Sequence, residues 1–177
     1  MARNSLTRPT IRNTGHSGFT LVELAVVTLL IALFAGVTVP LLDFGGERAL
    51  RTTGRRIAGM TRWCYNEAAL TGLEHQLVFD LERQVFFARR LEFDGELVAL
   101  VGPGRERKPA KQIRLQDVTV AGRGLFSSQT VTVRILPVGW LEETVVHLED
   151  DDGEAKLTLR LMPLTGITET YDGYREF

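Results

Sequence analysis

The chain has 177 residues, a formal net charge of −1 and 24% charged side chains. Near-neutrality excludes a bulk electrostatic attraction to nucleic acid or to anionic lipid, and a single cysteine, Cys64, excludes an intrachain disulfide. Beyond a long N-terminal apolar run about 130 residues remain, enough for one small globular domain and too few for two.

Residues 1–18 carry Arg3, Arg8 and Arg12 with no acid. By the positive-inside rule such a segment stays in the cytoplasm and the rest of the chain is sent outward. The stretch His16-Ser17-Gly18-Phe19-Thr20-Leu21-Val22-Glu23-Leu24 then opens an apolar run that meets no further charge as far as Leu42. At roughly 1.5 Å per helical residue, a run of that length crosses the hydrocarbon of a bilayer. Glu23 is its anomaly, because a carboxylate deep in lipid costs roughly 2.5–3.5 kcal/mol and so asks for a partner. An ordinary secretory signal, cut at the small residues around 32–35, is the competing interpretation, but a charge inside its apolar region weakens it.

This arrangement resembles the signal of type IV prepilins and type II secretion pseudopilins. In that family a basic leader is cut after a glycine, the new N-terminal phenylalanine is methylated, and a glutamate stands four residues further on. The resemblance implies that prepilin peptidase cuts between Gly18 and Phe19, that Phe19 is N-methylated, and that Glu23 meets the N-terminal amine of a neighbouring subunit during assembly. Pro40 falls where the family has a proline that interrupts the membrane helix. The physical sense is direct: a methylated amine at Phe19 remains cationic, and a carboxylate one helical turn away also suits the positive end of the helix dipole.

After Asp43-Phe44-Gly45-Gly46, where two glycines loosen the helix at a cost of roughly 2 kcal/mol against alanine, a second helical pattern begins. Leu50, Gly54, Ile57, Thr61, Cys64 and Ala68 recur at steps of four and three, a single stripe, while Arg48, Arg51, Arg55, Arg62 and Asn66 lie mostly elsewhere. The small residues Gly54, Gly59 and Ala68 predict close packing on a sheet, and Gly72 is a C-cap candidate. The arginines read as a solvated face or as contacts to other subunits. Cys64 on the stripe reads as a small buried apolar residue.

From His75 the period becomes two. Residues 75–81 and 84–88 predict a β-hairpin through Glu82-Arg83, 97–101 a third strand, and Ile113–Val120 and Thr130–Leu136 two more, with a glycine-containing loop between them. Residues 102–109 form a polar, proline-bounded loop, Pro137-Val138-Gly139-Trp140 turns the chain, 143–148 and 156–162 make a hairpin around Asp151-Asp152-Gly153, and 167–171 add an edge strand. One helix followed by a run of strands predicts an α+β domain whose helical stripe covers antiparallel sheet, with one sheet or two left open.

The passage Thr61-Arg62-Trp63-Cys64-Tyr65-Asn66-Glu67-Ala68 followed by Leu77-Val78-Phe79-Asp80-Leu81 looks like the helix-to-first-strand region of the general secretion pathway protein H family. So does the later part, where Leu136-Pro137-Val138-Gly139-Trp140 precedes Val145-Val146-His147-Leu148, and Leu159 leads into Pro163-Leu164-Thr165-Gly166. The likeness favours minor pseudopilin H over the major pseudopilin and extends to minor type IV pilins with a related domain.

No residues converge on chemistry. Asp150-Asp151-Asp152-Gly153-Glu154 has oxygen ligands enough for calcium, but contiguous acids between two strands do not aim at one centre and read as a solvated hairpin tip. His16, His75 and His147 show no ligand spacing for zinc, and Ser127 and Ser128 have neither nucleophile-elbow context nor a base. Gly102-Pro103-Gly104 precedes no helix, unlike a phosphate loop, and Trp63 and Trp140 read as core or interface anchors. The expectation is therefore a non-enzymatic subunit without cofactor or metal: leader 1–18, transmembrane and assembly helix 19–42, amphipathic periplasmic helix 43–72 and β-rich pseudopilin domain 73–177. It would be a single-pass protein of the bacterial inner membrane with its C-terminal domain periplasmic. The resemblance implies prepilin peptidase, other minor and major pseudopilins and secreted substrates as partners. The alternative is a minor type IV pilin serving pilus assembly or DNA uptake, for which Arg105, Arg107, Lys108, Lys111 and Arg114 form the one candidate basic cluster; nucleic acid is otherwise not expected as a partner.

Overall fold

The structure, a computed structural model, describes residues 19–41 and 45–177. The expected leader, including Gly18, and residues 42–44 lie outside that range. The chain divides into two compact units, one holding the first helix and the other everything from the second helix onward.

The first unit is α1 (Leu21–Leu41). Its start is written in Thr20-Leu21-Val22-Glu23, the spacing of a capping box. Thr20 Oγ1 accepts the Glu23 N–H at 3.2 Å, and the Thr20 carbonyl accepts the Leu24 N–H at 3.1 Å. Thr28, the other hydroxyl in the described part of the helix, turns back to lie 3.0 Å from the carbonyls of Leu24 and Ala25, so the helix satisfies it internally. Pro40 is the penultimate residue of α1. Among the described residues no helix is long and apolar enough to cross a membrane. Side chains of α1 are described from Leu21 to Phe34, about 20 Å of helix; the expected span of 19–42 extends beyond them.

The second unit opens with α2 (Gly45–Thr71). Gly45 and Gly46 are its first two residues, so the glycine pair stands at the entrance of this helix and costs little there. The helix ends at Gly72, whose positive φ of 71° and N–H bond to the Ala68 carbonyl (3.0 Å) are the geometry of a C-terminal cap. Leu50, Ile57, Cys64 and Ala68 of the stripe are buried, joined by Met60 and Thr53. Gly54 lets the helix approach the sheet closely: a Cβ there would stand 3.0 Å from Leu157 Cδ2 and 3.2 Å from Leu159 Cδ2. Gly59 plays no such part: it is exposed, and a Cβ added to it would meet nothing within 4 Å, which corrects the sequence expectation.

Ten strands follow: β1 (His75–Asp80), β2 (Val85–Leu91), β3 (Leu97–Ala99), β4 (Ile113–Val120), β5 (Gly124–Phe126), β6 (Thr130–Leu136), β7 (Trp140–Leu141), β8 (Thr144–Asp150), β9 (Lys156–Leu161) and β10 (Thr168–Asp172). They form two antiparallel five-stranded sheets, ordered β3-β2-β1-β6-β7 and β10-β9-β8-β4-β5. The chain therefore visits the first sheet, the second, the first again and the second again. The fold is α+β as expected, with α2 packed on strands of both sheets and one continuous core between them, including Phe79, Phe86, Ile135, Leu148 and Leu159. Strands β5 and β7 escape the sequence reading because runs of three and two residues are too short to display alternation.

Candidate functional site

The two regions singled out by the sequence lie in different units. At the N-terminus, Phe19 is 78% exposed and Glu23 is exposed in the first turn of α1, where the helix dipole favours an anion. From Leu21 to Leu33 every apolar side chain of α1 is exposed, Leu21 at 85% and Leu29 at 69%. Only Glu23 interrupts that surface with a charge.

In the second unit the separate resemblance motifs come together on one face of α2. Tyr65 Oη lies 2.7 Å from the Gly139 carbonyl and 2.7 Å from the Leu164 carbonyl, one phenol tying the turn after β6 to the turn after β9. Arg62 Nη1 donates to the Thr165 carbonyl at 2.5 Å, and the Leu141 N–H to the Pro163 carbonyl at 2.9 Å. Gly166 completes the clasp: its φ is +62°, and a Cβ would stand 2.4 Å from Tyr65 Cγ. Only glycine meets both conditions. Around the clasp Val138 (82%) and Leu164 (74%) are exposed, and Trp140 is partly so, while Trp63 packs against the core with its ring edge-on to His75. Trp140 is thus a surface residue and Trp63 a core one.

The remaining candidates dissolve into structure. Arg114 on β4 pairs with Glu149 at 2.5 Å, Arg107 joins β2 by backbone hydrogen bonds to Phe86, and Glu106 beside it pairs with Arg83. Two members of the basic cluster are therefore committed to different sheets. Asp150 uses its side chain within its own turn, accepting the Ala155 N–H at 3.1 Å, while Asp151, Asp152 and Glu154 face solvent. Among the described residues no group of three or more His, Cys, Asp or Glu side chains is placed to hold a metal. Cys64 is fully buried, and burial, with Glu67 nearby, pushes its thiol up to about 12. It stays a protonated, unreactive thiol.

One constellation was missed. His147 on β8 and Asp117 on β4 are buried together, Nδ1 to Oδ1 at 2.6 Å, and Tyr174 stacks on the imidazole at 3.8 Å between centroids. Burial alone would lower the His147 pKa. The Asp117 carboxylate and the Arg175 carbonyl outweigh it and raise the value above the usual histidine range. The sequence held a sign of this: the apolar beat Ile113, Leu115 shifts phase to Val118, Val120, and the ladder to β8 is irregular between Leu115 and Asp117. That shift turns Asp117 toward His147. His75 is the opposite case, its pKa lowered by burial.

No family model matches the chain, and no curated protein matches it. Among solved structures the fold is similar to that of the minor pseudopilin EpsH from the type II secretion system of Vibrio cholerae. A crystal structure of EpsH has a TM-score of 0.59 at 10% identity, covering 73% of this chain and 98% of that chain. A second EpsH structure gives 0.55 at 12% identity, covering 70% and 96%. The common ground at such identity is the fold, a helix packed on two antiparallel sheets.

Proposed function

We propose that this chain is a minor pseudopilin, a structural subunit of the pseudopilus of a type II protein secretion system. The observation that carries the proposal is the pairing of a helix apolar on every described side with a domain of the EpsH fold. An unburied apolar helix is unstable in water, so α1 requires lipid or the helices of other subunits. A filament subunit has both, one after the other.

In this mechanism prepilin peptidase removes residues 1–18 and methylates Phe19, and the segment 19–42 holds the subunit in the bacterial inner membrane. Assembly then draws it into a periplasmic filament. The Glu23 carboxylate docks on the N-terminal amine of a neighbour, which neutralises both charges away from water. The capping bond from Thr20 leaves that carboxylate free for the contact, since it uses the Glu23 backbone N–H. The β domain provides the face presented to other pseudopilins and to secreted protein, and the work is mechanical, with no catalytic step. A DNA-capturing minor pilin has less support, because it needs a concentrated basic patch and Arg114 is neutralised by Glu149.

The test is the N-terminus of the membrane-extracted protein, by intact mass and peptide sequencing. A methylated Phe19 is expected; an intact Met1, or a cut near residue 35, overturns the proposal. In cells, Glu23→Ala is expected to be processed and yet incorporate poorly into filaments, and normal incorporation removes the role assigned to Glu23.

A further inference from the structure

The residues after β10 return across the face of the second sheet that is turned away from α2. Val146 and Leu148 belong to the core under α2, so strand alternation places His147 on the opposite face. There Asp117, His147 and Thr158 stand in one cross-strand row, partners in register across β4, β8 and β9. All three are buried, and residues 173–177 supply contacts over them. The Gly173 N–H donates to the Lys156 carbonyl at 2.9 Å. Thr158 Oγ1 donates to the Gly173 carbonyl at 2.7 Å and accepts the Arg175 N–H at 3.0 Å. Tyr174 lies flat on the imidazole, and Phe177 packs under the Arg160 guanidinium at 4.7 Å.

The decisive geometry is at His147. Nδ1 is 2.6 Å from Asp117 Oδ1 and Nε2 is 2.9 Å from the Arg175 carbonyl oxygen. A backbone carbonyl and a carboxylate are both acceptors, and a neutral imidazole has a single N–H. Satisfying both bonds takes two protons shared between His147 and Asp117. If one leaves, a lone pair of the ring faces an oxygen at hydrogen-bond distance, and a buried polar contact turns repulsive.

We propose that residues 173–177 form a proton-gated strap, held on the outer face of the second sheet by a doubly protonated His147 and released when that ring loses a proton. The groups that face the ring set its sensitivity: Asp117 from β4, Tyr174, Arg175 and Glu176 from the strap itself, and Lys156 of β9, which lies over the Tyr174 ring at 5.7 Å and also bonds Glu149. The sign follows from linkage. Asp117 on β4 does most to hold the His147 proton, and the Arg175 carbonyl and Glu176 of the docked strap add to it, so the strap's grip is full while the ring is doubly protonated and fades as pH rises through the raised value. Release uncovers the Asp117–His147–Thr158 row and enlarges a neighbouring cleft of about 250 Å³ that His147, Glu176 and Phe177 line. This inference stands independently of the secretion reading.

The test is amide hydrogen exchange of the full chain in detergent micelles, corrected for intrinsic rates, from pH 5 to 9. The Arg175 amide is expected to lose protection at least tenfold, with a midpoint above 6.5 that coincides with titration of the His147 ring followed by ¹⁵N NMR, while the Val146 amide stays protected. His147→Gln, which can donate to one of the two oxygens and does not titrate, should remove the midpoint. Constant Arg175 protection across the ring titration, or a midpoint surviving in His147→Gln, overturns the proposal. Should that variant not fold, the wild-type ring decides: two protonated nitrogens while the strap is protected support the strap, and a neutral ring overturns it.

Discussion

Helices α1 and α2 have 21 and 27 residues and occupy opposite situations. α2 has an apolar stripe, and the chain buries it: Leu50, Ile57, Met60 and Cys64 are each at most 2% exposed. α1 is apolar all round, with no stripe to turn inward, and its described apolar side chains as far as Leu33 are exposed. Identical backbone geometry thus serves one helix whose apolar stripe the chain buries and one whose described apolar side chains stay exposed. Helix propensity does not separate them; the arrangement of apolar residues around the axis does.

The sharpest way to break this comparison is to disable the seat of α2 without touching α1. Gly166→Val forces a β-branched residue to a φ of +62° and drives its Cβ into Tyr65. The expected cost is about 4 kcal/mol, adding overpacking to left-handed strain. Thermal unfolding of the β domain should shift to much lower temperature while membrane retention is unchanged. Matched truncations come next. Ile57→Ala should cost about 3 kcal/mol in chemical denaturation, whereas Leu30→Ala, at a site 47% exposed, should leave the unfolding of the β domain within about 0.5 kcal/mol of the parent. Equal effects would show that the helices share one cooperative unit. A smaller change, Tyr65→Phe, keeps the ring and removes the hydroxyl from the Gly139 and Leu164 carbonyls, with a loss of about 1 kcal/mol read from the same denaturation curves.

The smallest expected effect is electrostatic and belongs to the β domain alone. The hydrogen bond from Arg134 holds the Glu74 carboxyl below its usual range, against the opposing pull of burial. Its contribution is present above the ordinary glutamate pKa and is lost as pH falls through the lowered value. Between pH 6 and pH 3 the thermal midpoint of Glu74→Gln should therefore fall less than that of the parent.

Much of the fold was legible where a single period ran long enough. The stripe on α2, the limits of Ile113–Val120 and Thr130–Leu136, and the hairpin around Gly153 all follow from alternation and turn chemistry. The illegible part depends on partners distant in sequence. Whether β4 pairs with β8 or with a strand of the other sheet is decided by packing, so the division into two sheets had no local signature. Gly59 was misplaced because smallness fits a close contact only when the residue faces the sheet, and a position two residues from both Ile57 and Thr61 lies on the far side of the helix. The meeting of Tyr65 with Gly139 and Leu164 spans 74 and 99 residues of chain, and its members read singly as ordinary helix and turn residues. His147 was noted on its strand while Asp117 passed unremarked within Ile113–Val120, and their union needs the phase shift in β4 to be read as a bulge. Phe19 and Glu23 were singled out by local spacing alone, and the roles proposed for them rest on that spacing.

The seating of α2 on both sheets gives this domain a particular way of bearing load. Tension arriving along the chain from α1 enters through Gly45 and runs down α2. From there it spreads sideways through the Gly54 contact to β9, the Ile57 and Met60 layer, and finally the Tyr65 clasp, which grips a turn beyond each sheet. Among the described residues no strand lies between α1 and α2, so such a load meets the helix before it meets either sheet. A chain pulled from its N-terminal side would thus be held by a keel seated on both sheets before any strand end is reached.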